Sequence, residues 1–136
     1  MNNKEYIDLV NQGKFPEDIN VPLDSPFIDE RGIIQNLWLG NCGSVTLITS
    51  KAGSIRANHV HHDDWHGVYI LSGEIKYSYG DPEGEVIGRN YKTGEMIFSP
   101  PEVWHKVEFL VDTTIITFNG IIKNHENYEK SIERSK

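Results

Sequence analysis

The apolar residues of this chain are spaced as in short β-strands from about residue 33 onward. β-Branched, aromatic and aliphatic residues recur in short runs, and turns rich in glycine or proline separate the runs. The runs cover residues 33–39, 44–50, 55–60, 65–71, 74–79, 86–91, 96–99, 103–110 and 114–118. Short strands with regular turns are typical of an antiparallel sandwich or barrel. We therefore predict an all-β fold.

The N-terminal region follows a different pattern. Tyr6, Leu9 and Val10 have the spacing of one helical face, which predicts a short helix over residues 3–10. Three prolines then disfavour further helix and keep the chain extended up to the first strands (Pro16, Pro22 and Pro26).

The tail at residues 124–136 is polar, and its pattern permits either a short C-terminal helix, with Tyr128 and Ile132 as its anchors, or a frayed end. No repeat, low-complexity segment or long linker interrupts the sequence. We therefore divide the chain into an N-terminal lead-in at 1–28, one barrel domain at 29–120 and a C-terminal tail at 121–136.

Charge and composition disfavour several classes of function. The 136 residues include 13 Lys and Arg against 20 Asp and Glu, and the formal net charge is -7. No segment is basic, so we expect no nucleic-acid polymer as a partner. The N-terminal residues form no apolar run of membrane-spanning or signal-peptide length, and Cys42 is the single cysteine. We therefore expect a cytoplasmic protein that does not associate with membranes.

Four of the six histidines lie between residues 59 and 66. Side chains two positions apart in a strand share a face, so His59 and His61 point to the same side of the predicted strand. After a tight turn, His66 opens the next strand, where the neighbours on its own face are apolar. His105 adds an imidazole from far along the chain. The sequence therefore predicts a convergence of histidines inside the barrel.

The spacing of these histidines resembles that of the cupins. Gly53-(five residues)-His59-Val60-His61-(four residues)-His66-(six residues)-Gly73 is similar to the first cupin motif. Gly94-(five residues)-Pro100-(one residue)-Glu102-(two residues)-His105 is similar to the second. The resemblance covers roughly residues 29–120 and implies a single jelly-roll barrel, the double-stranded β-helix. This sequence departs from the motifs at His66, where a glutamate is usual, at Glu102 and at Phe109.

In similar cupins, the equivalent positions bind a divalent ion inside the barrel. The resemblance therefore implies a ligand set of His59, His61, His66 and His105, and a divalent transition metal as cofactor. Imidazole ligands suit several such ions, so Mn, Fe, Ni and Zn all remain candidates. Four neutral ligands would leave the ion's charge uncompensated and better able to polarise a bound oxygen.

A second resemblance points to sugar chemistry. The segment Asp29-Glu30-Arg31-Gly32, residues 56–61 and residues 100–105 look like those of small cupins that act on nucleotide-linked keto-deoxysugars, the sugar 3,4-ketoisomerases and deoxysugar epimerases. That subgroup typically works without metal. The resemblance implies an isomerase or epimerase in surface-polysaccharide synthesis, a sugar or sugar-nucleotide ligand and a homodimer.

Proton transfer next to a sugar ketone requires a base whose pKa lies near 7, which histidine provides. The candidate catalytic residues are His59, His61 and Tyr77. The metal-dependent and metal-free mechanisms compete for the same atoms, because a ring nitrogen bound to a metal cannot also accept a substrate proton. A metal-dependent oxygenase, lyase or isomerase of another small molecule, and a non-catalytic sugar-binding module, are the alternative functions.

Three more residues are candidates for substrate binding. The guanidinium of Arg56 suits a phosphate or carboxylate, Tyr79 has the spacing of a barrel-lining residue, and Trp104 could stack on a sugar or base. Strict alternation along the strand places Arg56 on the face opposite His59. An exterior salt bridge or a dimer contact therefore remains an alternative role for Arg56.

Overall fold

A computed structural model of the chain describes residues 1–122 and the backbone of residues 132–134. It contains one helix and eleven strands within these ranges. In chain order they are α1 (Asn3–Asn11), β1 (Phe27–Asp29), β2 (Gly32–Ile34), β3 (Ser44–Ser50), β4 (Ile55–His61), β5 (His66–Ser72), β6 (Glu74–Gly80), β7 (Val86–Lys92), β8 (Met96–Ser99), β9 (Trp104–Phe109), β10 (Thr113–Asn119) and β11 (Ile132–Arg134).

Two antiparallel sheets enclose the core. β3, β10, β5 and β8 form a four-stranded sheet in that order, and β11, β4, β9, β6 and β7 form a five-stranded sheet. β1 and β2 form a separate hairpin. The facing sides of the two large sheets share one apolar cluster, which includes Ile70 and Ile97 from one sheet and Ile75, Val107 and Phe109 from the other. The predicted all-β jelly-roll is therefore confirmed.

The N-terminal helix packs on the outer face of the four-stranded sheet. Its first turn has a capping box, in which the Asn2 side chain accepts a hydrogen bond from the Glu5 N–H and the Glu5 side chain accepts one from the Asn2 N–H. Met96 and Phe98, which alternate with the core residue Ile97 on β8, pack against three buried residues of the helix (Tyr6, Ile7 and Val10). Among the described residues, no helix is long and apolar enough to cross a bilayer.

The structure confirms the predicted helix over residues 3–10 and eight of the nine predicted strands, to within two residues at each end. The prediction for residues 33–39 is wrong beyond Ile34, where β2 ends. Leu37 and Trp38 instead pack against the apolar cluster that contains the buried residues of α1. Their side chains are therefore partly buried although their backbone belongs to no strand. The strand β1 was not predicted.

The predicted C-terminal helix is wrong at residues 132–134. These residues form β11, which pairs with the last three residues of β4. The remainder of the predicted helix lies outside the described residues. The division of the chain at residues 28 and 120 remains a prediction, although the β1–β2 hairpin begins at Phe27, within the predicted lead-in.

Candidate functional site: a histidine cluster inside the barrel

β4 contains a bulge immediately before its first histidine. Ala57 and Asn58 have positive φ angles of 64° and 59°. The pairing with β9 skips Asn58, so that His59 stands opposite His105, and Asn58 is the extra residue of a β-bulge. Trp104 Nε1 donates a hydrogen bond of 3.0 Å to Asn58 Oδ1, which stabilises the bulge.

The bulge determines which side chains of β4 face the barrel interior. Arg56 pairs with the buried Val107, and its Nε donates a 2.7 Å hydrogen bond to Ser50 Oγ. Directly paired residues share a face of a sheet, so Arg56 lies on the face of Val107 and His59 on the face of His105. Val107 and His105 are two positions apart on β9 and share a face, so Arg56 and His59 share that face too. The prediction that alternation places Arg56 on the face opposite His59 is wrong, because the bulge inserts one residue between them.

Three imidazoles meet inside the barrel. His59, His61 and His105 are 1%, 0% and 4% exposed. The Nε2 atoms of His59 and His61 lie 3.1 Å apart, and each of the three residues offers a ring nitrogen within 4.8 Å of the others. The predicted convergence of these histidines is therefore present in the folded chain. We call these three residues the histidine cluster.

His66 borders the histidine cluster through its ring. The centroids of the His66 and His61 rings are 4.2 Å apart, whereas His66 Nε2 lies 3.2 Å from Asp64 Oδ2. Asp64 is fully buried, and its Oδ1 accepts a 3.0 Å hydrogen bond from the backbone N–H of Ile121. Within the residues that the structure describes, the group suited to hold an ion comprises the histidine cluster without His66.

His105 is oriented by Ser99. His105 Nδ1 lies 3.3 Å from Ser99 Oγ and 3.5 Å from the carbonyl oxygen of Val103. Burial, and then the electrostatic repulsion that the protonated forms of His105 and His66 would exert on each other, lower the pKa of His105 to about 4. His105 is therefore neutral at pH 7 and keeps a ring-nitrogen lone pair.

Tyr77 and Tyr79 line the interior beside the histidine cluster. The Tyr77 ring is stacked near the His105 ring at a centroid distance of 5.8 Å, and Tyr79 pairs directly with His105 across β6 and β9. Burial raises the pKa of Tyr77 well above its usual value, and a hydrogen bond with Ser99 only partly opposes this. Tyr77 therefore keeps its proton at neutral pH, next to a neutral imidazole.

Arg56 and Trp104 lie apart from this group of side chains. Trp104 is 8% exposed, and its indole N–H is bonded to Asn58. Arg56 lines an open cleft of about 560 Å³, together with residues at the end of β5 and the start of β10 (Ser72, Thr113 and Thr114). His66 opens β5 and Ser72 ends it, so the cleft and the histidine cluster lie at opposite ends of the barrel.

Sequence reasoning missed two residues of the site. Ser99 is the polar member of an otherwise apolar buried strand, Met96–Ser99, and that contrast is a signal that could have identified it. Asp64 carries no comparable signal, because its neighbour Asp63 has the same side chain and is exposed. The structure alone distinguishes the two aspartates.

The His59–His61 pair fits a divalent transition metal, and the ring nitrogens of the whole cluster, which lie within 4.8 Å of one another, would have to move closer together for all three to bind one ion. Two nitrogens that each bind an ion at about 2.1 Å, at right angles, are roughly 3 Å apart, and the two Nε2 atoms of His59 and His61 are 3.1 Å apart. The second imidazole nitrogen of a metal ligand usually donates to an oxygen, and the oxygens of Ser99 and Val103 face His105 Nδ1. Imidazole suits Zn, Cu, Fe and Ni.

The chain belongs to the cupin family. The family model described as a cupin domain matches residues 46–117, a segment that contains all four predicted site histidines. The resemblance found in the two sequence motifs is thereby confirmed. No curated protein sequence matches the chain.

Solved structures share the fold at low sequence identity. The sugar 3,4-ketoisomerase QdtA from Thermoanaerobacterium thermosaccharolyticum, in complex with TDP, is 15% identical with a TM-score of 0.67, and the match covers 82% of this chain and 83% of that chain. A 3,4-ketoisomerase from Helicobacter canadensis is 13% identical with a TM-score of 0.70, and the match covers 82% and 86%.

A longer protein contains a similar domain. The capsular polysaccharide assembling protein CapF from Staphylococcus aureus is 21% identical with a TM-score of 0.62. The match covers 90% of this chain but only 37% of that chain. At these identities, the three structures show the fold that this chain shares with them.

Proposed function

We propose that this cupin is an enzyme that transfers protons next to the keto group of a nucleotide-linked sugar, as an isomerase or epimerase. The observation that carries the proposal is the pairing of buried imidazoles with a protonated tyrosine inside the barrel. His59 and His61 supply candidate bases, and Tyr77 keeps a proton that it can donate. Similar structures include a 3,4-ketoisomerase in complex with TDP-4-keto-6-deoxyglucose, which supports this class of substrate.

We assign different roles to the three predicted substrate-binding residues. Tyr79 is partly buried beside the core and stands opposite His105, so we propose that it contacts the sugar. Trp104 donates a hydrogen bond to Asn58 in the bulge, and Arg56 lines the cleft at the other end of the barrel. We therefore assign Trp104 a role in holding His59 in place and assign Arg56 no contact with the sugar.

The experiment that tests this function measures hydrogen exchange from solvent into the substrate. The protein is incubated in D₂O with TDP-4-keto-6-deoxyglucose, and NMR detects deuterium at the carbons beside the keto group. We expect exchange with the wild type and with His62→Asn, whose exposed side chain pairs with Glu102, and loss of exchange with His59→Asn and His61→Asn.

Two outcomes would contradict the proposed function. No exchange with TDP-linked, UDP-linked or GDP-linked keto sugars would exclude proton transfer on this substrate class. Tight binding of a nucleotide-linked sugar that is recovered without deuterium would instead indicate a sugar-binding module.

Metal-assisted chemistry is the second candidate, and the 3.1 Å separation of the two Nε2 atoms favours it. His59, His61 and His105 would hold the ion, which would supply Lewis-acid polarisation of a carbonyl oxygen when bound. The lone pairs of the ligand imidazoles would then no longer accept protons, and Tyr77 would remain as the proton-carrying group beside the substrate. Elemental analysis distinguishes the two candidates.

We also propose that the protein is a homodimer. The β1–β2 hairpin exposes four apolar side chains, with exposed fractions between 60% and 71% (Phe27, Ile28, Ile33 and Ile34). Apolar surface of this density is typical of a protein contact. Light scattering is expected to give twice the chain mass for the wild type and a lower mass for Ile28→Lys, and a monomeric wild type would contradict the proposal.

A further inference from the structure

One buried acidic side chain has no role in the function proposed above. Asp64 lies in the turn between β4 and β5 and is fully buried. Its two carboxylate oxygens make different contacts, one a hydrogen bond and the other an ion-pair contact outside hydrogen-bond geometry. Oδ1 accepts a hydrogen bond of 3.0 Å from the Ile121 N–H, and Oδ2 lies 3.2 Å from His66 Nε2. A single carboxylate therefore connects the backbone after β10 to the imidazole that borders the histidine cluster.

The surroundings of Asp64 hold its carboxylate in place. Gly120 passes so close that a Cβ atom there would lie 2.7 Å from Asp64 Oδ1 and 2.7 Å from the Trp65 ring. The Gly120 N–H also donates a 3.0 Å hydrogen bond to the Trp65 carbonyl oxygen. The segment after β10 is thereby fixed against the turn that carries Asp64, and solvent does not reach the carboxylate.

The chemistry of a carboxylate restricts the imidazole that faces it. An ionised carboxylate has negative charge and only lone pairs, so an imidazole nitrogen 3.2 Å from its oxygen is most stable when that nitrogen carries a proton. In a neutral imidazole, the other ring nitrogen then keeps the lone pair. For His66, the arrangement selects the tautomer with the proton on Nε2 and the lone pair on Nδ1.

We propose that Asp64 is a positioning residue that fixes the tautomer and the ring orientation of His66 beside His61. His66 thus presents Nδ1 as its acceptor nitrogen, whereas His59 and His61 approach each other through Nε2. The catalytic consequence rests on the proposed function, because an acceptor of fixed direction matters only if the site binds a substrate or an ion. The tautomer itself is a property of the protein alone.

Asp64→Asn tests the tautomer, because asparagine has the same shape and only one acceptor oxygen. The Ile121 N–H is an obligatory donor, so the side-chain oxygen of the variant must remain on it. The amide NH₂ group then faces His66 Nε2, which must become an acceptor. We therefore expect the variant to shift the His66 proton from Nε2 to Nδ1. Asp63→Asn is the matched control, because Asp63 is the exposed neighbour.

The measurement is long-range ¹H–¹⁵N NMR of the histidine rings at pH 8.5 in the presence of chelator, with His66→Gln used for assignment. We expect the Nε2–H tautomer in the wild type and in Asp63→Asn, and the Nδ1–H tautomer in Asp64→Asn. An Nδ1–H tautomer in the wild type would overturn the proposal without any variant, even if Asp64→Asn fails to fold. An unchanged tautomer in a folded Asp64→Asn would overturn it as well.

The deuterium-exchange assay gives a second readout. Loss of a group that orients an active-site histidine typically costs about 10–100-fold, and we expect that loss for Asp64→Asn but a change of less than about twofold for Asp63→Asn. If no keto sugar exchanges with the wild type, the proposed function fails while the tautomer result still decides the role of Asp64. If the wild type exchanges and Asp64→Asn exchanges equally fast, the positioning role is overturned while the proposed function stands.

Discussion

His59 and His105 stand directly opposite each other on β4 and β9, with their ring centroids 4.8 Å apart. The two residues belong to the two separate cupin motifs of the sequence. β4 and β9 are adjacent in the five-stranded sheet although four strands separate them in the chain. The strand order of the jelly-roll therefore assembles the histidine cluster from distant segments.

The metal-assisted candidate predicts that untagged protein, purified without chelator and without a nickel column, contains about one divalent transition-metal ion per chain, whereas metal-free proton transfer predicts none. His59→Ala and His105→Ala each remove one of the three converging imidazoles, so both variants are expected to lose the ion. His62→Ala should keep it, because His62 is an exposed neighbour that pairs with Glu102. Elemental analysis makes the measurement, and a wild type without metal would leave His59 and His61 available as acid and base.

Tyr77→Phe is expected to slow deuterium exchange into the substrate by about 100-fold or more, because the variant lacks the proposed proton donor. Its stability should fall by about 1 kcal/mol, since Ser99 loses a hydrogen-bond partner. Tyr91→Phe is the matched control, because Tyr91 is also a buried core tyrosine. Equal exchange rates for Tyr77→Phe and the wild type would exclude Tyr77 as the acid.

Mild acid is expected to destabilise the metal-free protein through His105. The pKa of His105 falls from 6.5 to about 4 on folding, so the unfolded chain binds the proton more tightly than the folded chain between these values. The free energy of unfolding therefore keeps its full value above about pH 6.5 and declines as the pH falls toward 4. Between pH 7 and pH 5 the loss is about 2 kcal/mol.

Urea unfolding at the two pH values, in the presence of chelator, measures this loss. In His105→Asn the titrating group is absent, so the difference between pH 7 and pH 5 should shrink. An unchanged difference in His105→Asn would assign the acid sensitivity to other groups.

Asn58→Val is expected to destabilise the fold by about 1–3 kcal/mol, because a β-branched residue tolerates a positive φ poorly. The φ angle of Asn58 is 59°. Asn58→Gly adopts this angle without strain and loses only the hydrogen bond to Trp104, at a cost of about 1 kcal/mol. Urea unfolding compares the two variants, and equal destabilisation would show that the positive φ carries no strain.

The fold and three site histidines could be predicted because the signals that carry them are local. Alternation with a period of two placed His59 and His61 on one face, and the structure brings both of them to His105. The same rule failed at Arg56, because an extra residue at Asn58 reverses the alternation. The stability of that bulge depends on Trp104, 46 positions later, and no local pattern records such a contact.

Two other features depended on tertiary contacts that the sequence does not record. Asp63 and Asp64 are chemically identical, and the close approach of Gly120 and the Ile121 N–H distinguishes the buried one. The polar tail has too few apolar residues for its sequence to predict a strand. Residues 132–134 pair with β4 because β4 has an edge that no other strand of the described residues covers.

The pairing of β11 with β4 also has a consequence for synthesis on the ribosome. Residues 59–61, which carry two of the clustered histidines, pair with residues 132–134. At a translation rate of about 5–20 residues per second, roughly 70 further residues take several seconds to make. During that time one edge of β4 has no β11 to pair with. A nascent chain stalled before residue 132 should therefore present that edge to chaperones.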